Sequence, residues 1–205
     1  MSLFKRDKYP KHLADELSFG KQVLIFFWEI FKIVVISLAI IIPVRYFLIK
    51  PFYVKGASME PNFYDHEYLI IDEISYRFSP PERGDIIVFK YPLMPSQYFI
   101  KRIIGLPGEK IKVADNKITI YNQDNPDGGV LDEKYLPNET MTNGEIELTL
   151  KSDEYYLLGD NRPSSLDSRA FGPIKQEAII GRVFWRGWPI NKIGFLFHSP
   201  TYNLN

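Results

Sequence analysis

Cysteine is absent from all 205 residues. That excludes disulfides, thiolate metal sites and a thiol nucleophile, although it names no compartment. Histidine is scarce: His12, His66 and His198 lie far apart, without the spacing of a metal-ligand set. Excess charge of either sign is missing too. Lysine plus arginine and aspartate plus glutamate each number 25, for a net charge of +0, which removes the electrostatic argument for nucleic-acid binding. No metal, cofactor or nucleic-acid partner is expected. What remains is 45% hydrophobic and 15% aromatic, enough for a packed core and too apolar for a disordered chain. The length suits one ordinary domain plus an anchor, or two small lobes.

One long apolar run is present, "VLIFFWEIFKIVVISLAIIIPV", over 23–44. As a helix it rises about 33 Å, close to one bilayer core. Glu29 and Lys32 interrupt it, but three residues apart they share a helix face and partly neutralise each other. The span is expected between about 26 and 47. A buried helix of a soluble core and a cleaved secretory signal are the rival readings; the long polar lead and the lack of an Ala-x-Ala after the run argue against the second. Lys5, Arg6, Lys8, Lys11 and Lys21 precede the run, and Arg45, Lys50 and Lys55 follow it. The bias favours a cytoplasmic N-terminus, with the rest of the chain outside. The expected division is a tail over 1–22, an anchor over 23–48 and a β-rich domain over 49–205.

From residue 66 onward, short β-rich runs replace any helical period: "YLIIDEI", "DIIVFKY", "YFIKRIIGL", "EKIKVADNKITIYN", "EIELTL", "EYYLLGD" and "IIGRVFWRG". Turn clusters such as "SPPERGD" and "DNPDGG" punctuate them. Asp115-Asn116 separates two alternating runs, a hairpin signal. The fold class is therefore mainly β: an N-terminal transmembrane helix followed by an antiparallel sheet. The Asn-, Asp- and Gly-rich stretch 122–145 reads as an excursion from it.

Just beyond the apolar run stands "KGASMEP", with Ser58 among small residues. A serine hydroxyl needs a base to become a nucleophile. His12 precedes the span, His198 lies near the C-terminus, and His66 falls in a polar turn. A lysine serves instead if burial strips its proton; unperturbed, with a pKa near 10.4, only about one molecule in 2500 is neutral at pH 7. Lys101 is the candidate. In "YFIKRIIGL" read as a strand, Phe99, Lys101 and Ile103 share one face, and Ile100, Arg102 and Ile104 the other. Lowering its pKa to about 8 takes about 3 kcal/mol of desolvation. The alternative is a packed stem whose amine snorkels to water, and sequence physics leaves both open. "GDNRPSSLDSR" likewise reads, by composition alone, as a polar surface turn.

Four segments together carry a resemblance. "GASMEP", "RGDIIVF" (83–89), "YFIKRIIGLPGE" (98–109) and "LGDNRPSSLDSRAFGPI" (158–174) resemble the catalytic-domain boxes of bacterial type I signal peptidases, in the family's order and behind a membrane segment. The likeness extends over roughly 24–197. It implies an antiparallel β catalytic core with an inserted, more variable β lobe over about 110–150. It implies Ser58 as nucleophile and Lys101 as general base, a Ser-Lys dyad. By the same match, Ser165 hydrogen-bonds the lysine amine, and Asp160 and Arg169 form an ion pair bracing the site, with Asp167 beside it. The Ser58 backbone N–H is one implied oxyanion donor. The second is a serine in many Gram-negative members; here that position is Gly56, as in many Gram-positive ones, so water or another N–H is left for the role.

The resemblance further implies cleavage of signal peptides after small residues, in shallow apolar pockets walled by Phe52, Val54, Met59, Phe63, Phe99 and Ile100. Phe63 departs from the usual "M-x-P-T-L", and pointing inward it would narrow the first pocket. Implied partners are signal peptides of secreted preproteins, membrane lipid and the protein translocation machinery. Trp185 and Trp188 read either as interface anchors or as core. Three rivals stand beside this reading. A self-cleaving repressor-type protease would need a DNA-binding N-terminus in place of the apolar run. The others are a catalytically silent signal-peptide-binding module and a dedicated peptidase with a narrow substrate set.

Overall fold

The computed structural model describes residues 19–47, 50–196 and 202. His12, His198 and most of the expected tail lie outside them. The chain divides into two units, 1–46 and 47–205.

The first holds one helix, α1 (Phe19–Phe47), 29 residues long. It begins ahead of the apolar run at 23 and carries the run without a break. Over Phe19–Ile42 none of it is buried, and its length and composition suffice to cross a membrane. An apolar surface exposed all round is what lipid, not water, accommodates.

The second unit is built of antiparallel strands: β1 (Lys50–Tyr53), β2 (Tyr68–Asp72), β3 (Ile86–Lys90), β4 (Tyr98–Gly105), β5 (Lys110–Ala114), β6 (Lys117–Tyr121), β7 (Gly129–Val130), β8 (Ile146–Thr149), β9 (Glu154–Leu158), β10 (Ile174–Lys175), β11 (Ile179–Trp188) and β12 (Gly194–Phe195). An eight-stranded sheet runs β1-β2-β11-β3-β4-β9-β10, with β12 added on β11; a four-stranded sheet runs β7-β6-β5-β8. The only other α-helical segment among the described residues is the single turn α2 (Ser168–Phe171).

Every β-rich run read from the sequence is a strand. The β5–β6 hairpin turns at Asp115 and Asn116, whose φ angles of 51° and 60° fit a two-residue primed turn. The strands that escaped the reading are β1, β7, β10 and β12. Three of them have only two residues, too few to show a period, and β1 follows directly on the apolar run.

Alternation on β9 explains how one strand serves two cores. Tyr155 and Leu157 pack with Ile87, Phe89 and Ile103, while Tyr156 and Leu158 pack with Ile104, Ile111, Val113 and Ile120 beneath the smaller sheet. A third cluster, Val54, Met59, Phe63, Leu69, Ile71, Val88 and Val183, lies under the loop after β1. Where β4 passes the smaller sheet it must be Gly105, since a Cβ there would sit 2.0 Å from Ile111 Cδ1.

Candidate active site

The loop leaving β1 is closed at its neck by Val54 N–H donating to the Glu67 carbonyl (2.9 Å) and His66 N–H to the Val54 carbonyl (3.0 Å). Within it Gly56 takes φ of +94°, a conformation that suits a residue without Cβ. Its N–H donates to Asp65 Oδ1 at 2.9 Å. That N–H is therefore engaged, whereas the Ser58 N–H meets no protein acceptor among the described residues.

Strand β4 brings Lys101 to this loop. Its Nζ lies 2.7 Å from Ser58 Oγ and donates to the Ile100 carbonyl at 2.9 Å. The side chain is 3% exposed, and the Phe99 ring centroid lies 5.5 Å from Nζ. Burial lowers the lysine pKa from 10.5 to about 8, against the opposing pull of the Asp167 and Asp160 carboxylates. With that value about one amine in ten is neutral at pH 7. Among the described residues this lysine does not snorkel.

Three features differ from the sequence expectation. The first is the ion pairing. Asp160 pairs with Arg102, not Arg169: Nε donates to Oδ1 at 2.8 Å and Nη2 to Oδ2 at 2.6 Å. Alternation along β4 sends Arg102 to the face opposite Lys101, where it meets Asp160 in the loop after β9. Arg169 instead pairs with Asp167, donating from Nε to Oδ1 and from Nη2 to Oδ2, both at 2.9 Å. Asp167 also caps α2 and accepts the Gly159 N–H at 3.1 Å.

The second is Ser165. Its Oγ is buried, finds no hydrogen-bond partner among the described residues and does not bond Lys101. The amine's second bond goes to the Ile100 carbonyl. Ser165 Oγ lies where a Cβ on Gly159 would be, 2.1 Å from it, and the same Cβ would be 2.4 Å from the Ser58 carbonyl. Gly159 is thus squeezed between two serines.

The third is the pocket wall. A cleft of about 660 Å³ is lined by Phe52, Val54, Leu69, Val88, Phe99 and Ile100, with Ser58 and Lys101 also in its lining. Met59 and Phe63 do not line it; each is 1% exposed within the core cluster. Arg186 covers the Phe63 ring at 4.5 Å. Phe63 points into the protein and cannot narrow the cleft. Tyr53, Gln97, Tyr98 and Leu166 also line it, none of them singled out from the sequence.

Sequence reading also missed the braces. Asn161 donates its backbone N–H to the Ser58 carbonyl at 3.1 Å and its side-chain amide to the Ala57 carbonyl at 3.0 Å. From the other side Asn62 Nδ2 donates to Asp160 Oδ2 at 2.8 Å and to the Tyr135 carbonyl at 3.1 Å. Arg162, fully buried, pairs with Glu133 and bonds Thr142. One signal for Arg102 was legible: an arginine alternating with isoleucines on a strand is buried, and a buried guanidinium requires a carboxylate.

The arrangement holds a dry, partly neutral amine against a serine hydroxyl beside an apolar cleft, which is equipment for acyl transfer. Comparison with known proteins agrees. Residues 27–188 match the family described as "Signal peptidase, peptidase S26". The chain is 35% identical over 179 residues to signal peptidase I of Leptolyngbya laminosa, covering 83% of this chain and 84% of that one. It is 36% identical over 174 residues to probable signal peptidase I-2 of a Synechocystis species, covering 82% and 76%. Against signal peptidase IB of Staphylococcus aureus it is 30% identical over 183 residues, covering 82% and 93%. The chain belongs to the signal peptidase family, the S26 peptidases, and is a serine endopeptidase of signal peptidase I type.

Proposed function

We propose that this enzyme is anchored in the membrane by α1 and removes N-terminal signal peptides from secreted preproteins, with Ser58 as nucleophile and Lys101 as general base. The observation that carries the assignment is the 2.7 Å contact between Nζ and Oγ at a lysine only 3% exposed. Neutral Lys101 takes the Ser58 proton as Oγ attacks the scissile carbonyl. The Ser58 N–H, free of a protein acceptor, faces the developing oxyanion. The resulting ammonium returns its proton to the leaving amine. A water, deprotonated by the same lysine, then hydrolyses the acyl-enzyme.

Phe52, Val54, Phe99 and Ile100 take the small residues before the cut, in a cleft whose apolar lining matches them. Residues 98–101 of β4 pair with β3, whereas pairing with β9 begins at Arg102. That edge is open to an extended peptide, which supports binding by strand addition. Asp160, Asp167 and Arg169 brace the loop facing Ser58, and Ser165 packs against it. The N-terminus lies in the cytoplasm and the peptidase domain, 49–205 with its smaller sheet inserted over about 110–150, lies outside, where substrates emerge from the translocation machinery at the lipid surface.

The deciding test uses purified enzyme and a preprotein. Ser58→Ala and Lys101→Ala are each expected to abolish cleavage with the circular-dichroism spectrum unchanged. Cleavage surviving Lys101→Ala would overturn the dyad.

A further inference from the structure

A substrate cut at Ser58 has two halves, and the apolar cleft takes only the one before the bond. A second groove, of about 550 Å³, is lined by Pro61, Pro137, Met141 and Pro163 together with Glu60 and Glu139. Both segments around the serine run from one depression to the other. Ala57 and Ser58 line the cleft, while Glu60 and Pro61 line the groove; Ser164 lines the cleft, while Pro163 and Asn161 line the groove. Asn161 ties the two segments together through its bonds to the Ala57 and Ser58 carbonyls, so cleft and groove flank one ridge. An extended peptide advances about 3.3 Å per residue. With its scissile carbonyl at Ser58 and its preceding residues in the cleft, it crosses that ridge in one or two residues.

The charges in the groove are unbalanced. Asp160 and Arg162 also reach it, but they are neutralised by Arg102 and Glu133. Glu60 and Glu139 have no ion-pair partner among the described residues. Two unpaired carboxylates over prolines and a methionine suit a lysine or arginine, whose stem lies on the apolar wall while its charge meets the acids. They disfavour an aspartate or glutamate there.

We propose that this groove seats the second and third residues after the scissile bond and that Glu60 and Glu139 select basic side chains at those positions. The inference rests on the reading of Ser58 and Lys101 given above. It makes the enzyme sensitive to the first residues of the mature protein as well as to the signal peptide.

The test uses the full-length enzyme in detergent and two peptides identical up to the cut, differing only in lysine or glutamate at the second position after it. The wild type is expected to favour the lysine peptide in kcat/KM by roughly three- to fivefold, the size of one or two exposed charge contacts. The preference should shrink in high salt. Glu60→Gln with Glu139→Gln should bring the ratio close to one, and Glu139→Lys alone, at an exposed position, should lower it. A ratio taken on one preparation does not depend on how much of the variant is folded. A wild-type ratio of one, or a ratio unchanged in both variants, overturns the groove assignment while leaving the dyad intact. Cleavage of neither peptide by the wild type sinks the reading of the site itself, and the groove's role with it.

Discussion

Asn161 holds Ser58 from behind: its backbone N–H donates to the Ser58 carbonyl at 3.1 Å, and its side-chain amide reaches one residue back to the Ala57 carbonyl at 3.0 Å. The serine's backbone is thereby fixed to the loop that also carries Asp160, while Asn62 returns the connection to Asp160 Oδ2. Asn161→Ala removes the side-chain half of this clasp. A small displacement of an attacking atom is expensive, so kcat is expected to fall by about ten- to a hundredfold with KM little changed. The ascending limb of the pH profile should stay where it is, because the burial of Lys101 is untouched. Steady-state kinetics on a short peptide check both points; an unaltered kcat would show that the amide only fills space.

The strands were legible because alternation is a local property, and the positions of Ser58 and Lys101 because their boxes are short and ordered. Contacts across the site were not. Asp160 and Asp167 sit seven residues apart in one motif, and nothing in that spacing says which arginine each one meets; the answer depends on Arg102 facing away from Lys101 across β4. Met59 and Phe63 misled for a related reason. They lie in a loop, which has no period, so their burial against Leu69 and Ile71 could not be read from their neighbours. The Lys101–Phe99–Ile103 face did follow from period two, but whether the amine is dry or snorkels did not; that is settled by the tertiary burial which draws the lysine down to about 8.

Gly159 has no room for a side chain. A Cβ there would lie 2.1 Å from Ser165 Oγ and 2.4 Å from the Ser58 carbonyl oxygen, the second being backbone that cannot rotate away. Gly159→Ala is expected to push the Ser58 loop off its position and to cost at least a hundredfold in kcat. Ser165→Ala in the same background relieves only the side-chain clash, so it should restore little of the rate. Single-turnover cleavage by the two variants measures this, and full recovery would place the strain at Ser165 instead.

His66 adopts φ of 70° in the loop behind the site, exposed to solvent, with Nδ1 2.9 Å from Asp65 Oδ2. A side chain in that region costs about 1 kcal/mol or more relative to glycine. The exposed Asp65 contact and the edge-on Tyr53 ring, with centroids 5.5 Å apart, offset part of it. His66→Gly is therefore expected to raise Tm, by at most about 2–4 °C, the shift for about 1 kcal/mol in a domain of this size. Asp65 keeps its bond from the Gly56 N–H, so kcat should be preserved. Thermal unfolding followed by circular dichroism decides it; a lower Tm would mean that the imidazole holds the loop.

Burial lowers the Lys101 pKa, and Asp167 and then Asp160 pull it back up; Asp160 is itself paired with the Arg102 guanidinium. Asp160→Asn deletes the carboxylate and leaves the guanidinium without its counter-charge, so the lysine is easier to deprotonate. The ascending limb of kcat/KM is then expected to move to lower pH. The same change strands a buried cation, a loss of about 3–5 kcal/mol. Asp160→Asn should thus be markedly less stable in urea while its residual activity titrates earlier. An ascending limb moved to higher pH would contradict the electrostatic assignment.

Burial of Lys101 also costs the fold stability. Its folded pKa of about 8 lies below the 10.5 of an unperturbed lysine, so between those limits the unfolded chain binds the proton and the folded one does not. Stability therefore rises with pH through that window, and below pH 8 the enzyme carries the full penalty, about 3 kcal/mol by linkage. Lys101→Met keeps the apolar stem and removes the amine. At pH 7 the variant is expected to be more stable than the wild type by up to that amount, and the gap should close as pH approaches 10.5. Urea unfolding at pH 7, 8.5 and 10 measures the gap. Equal stability at all three would mean that the wild-type amine reaches water in solution, and the dry base on which the catalytic reading depends would be gone.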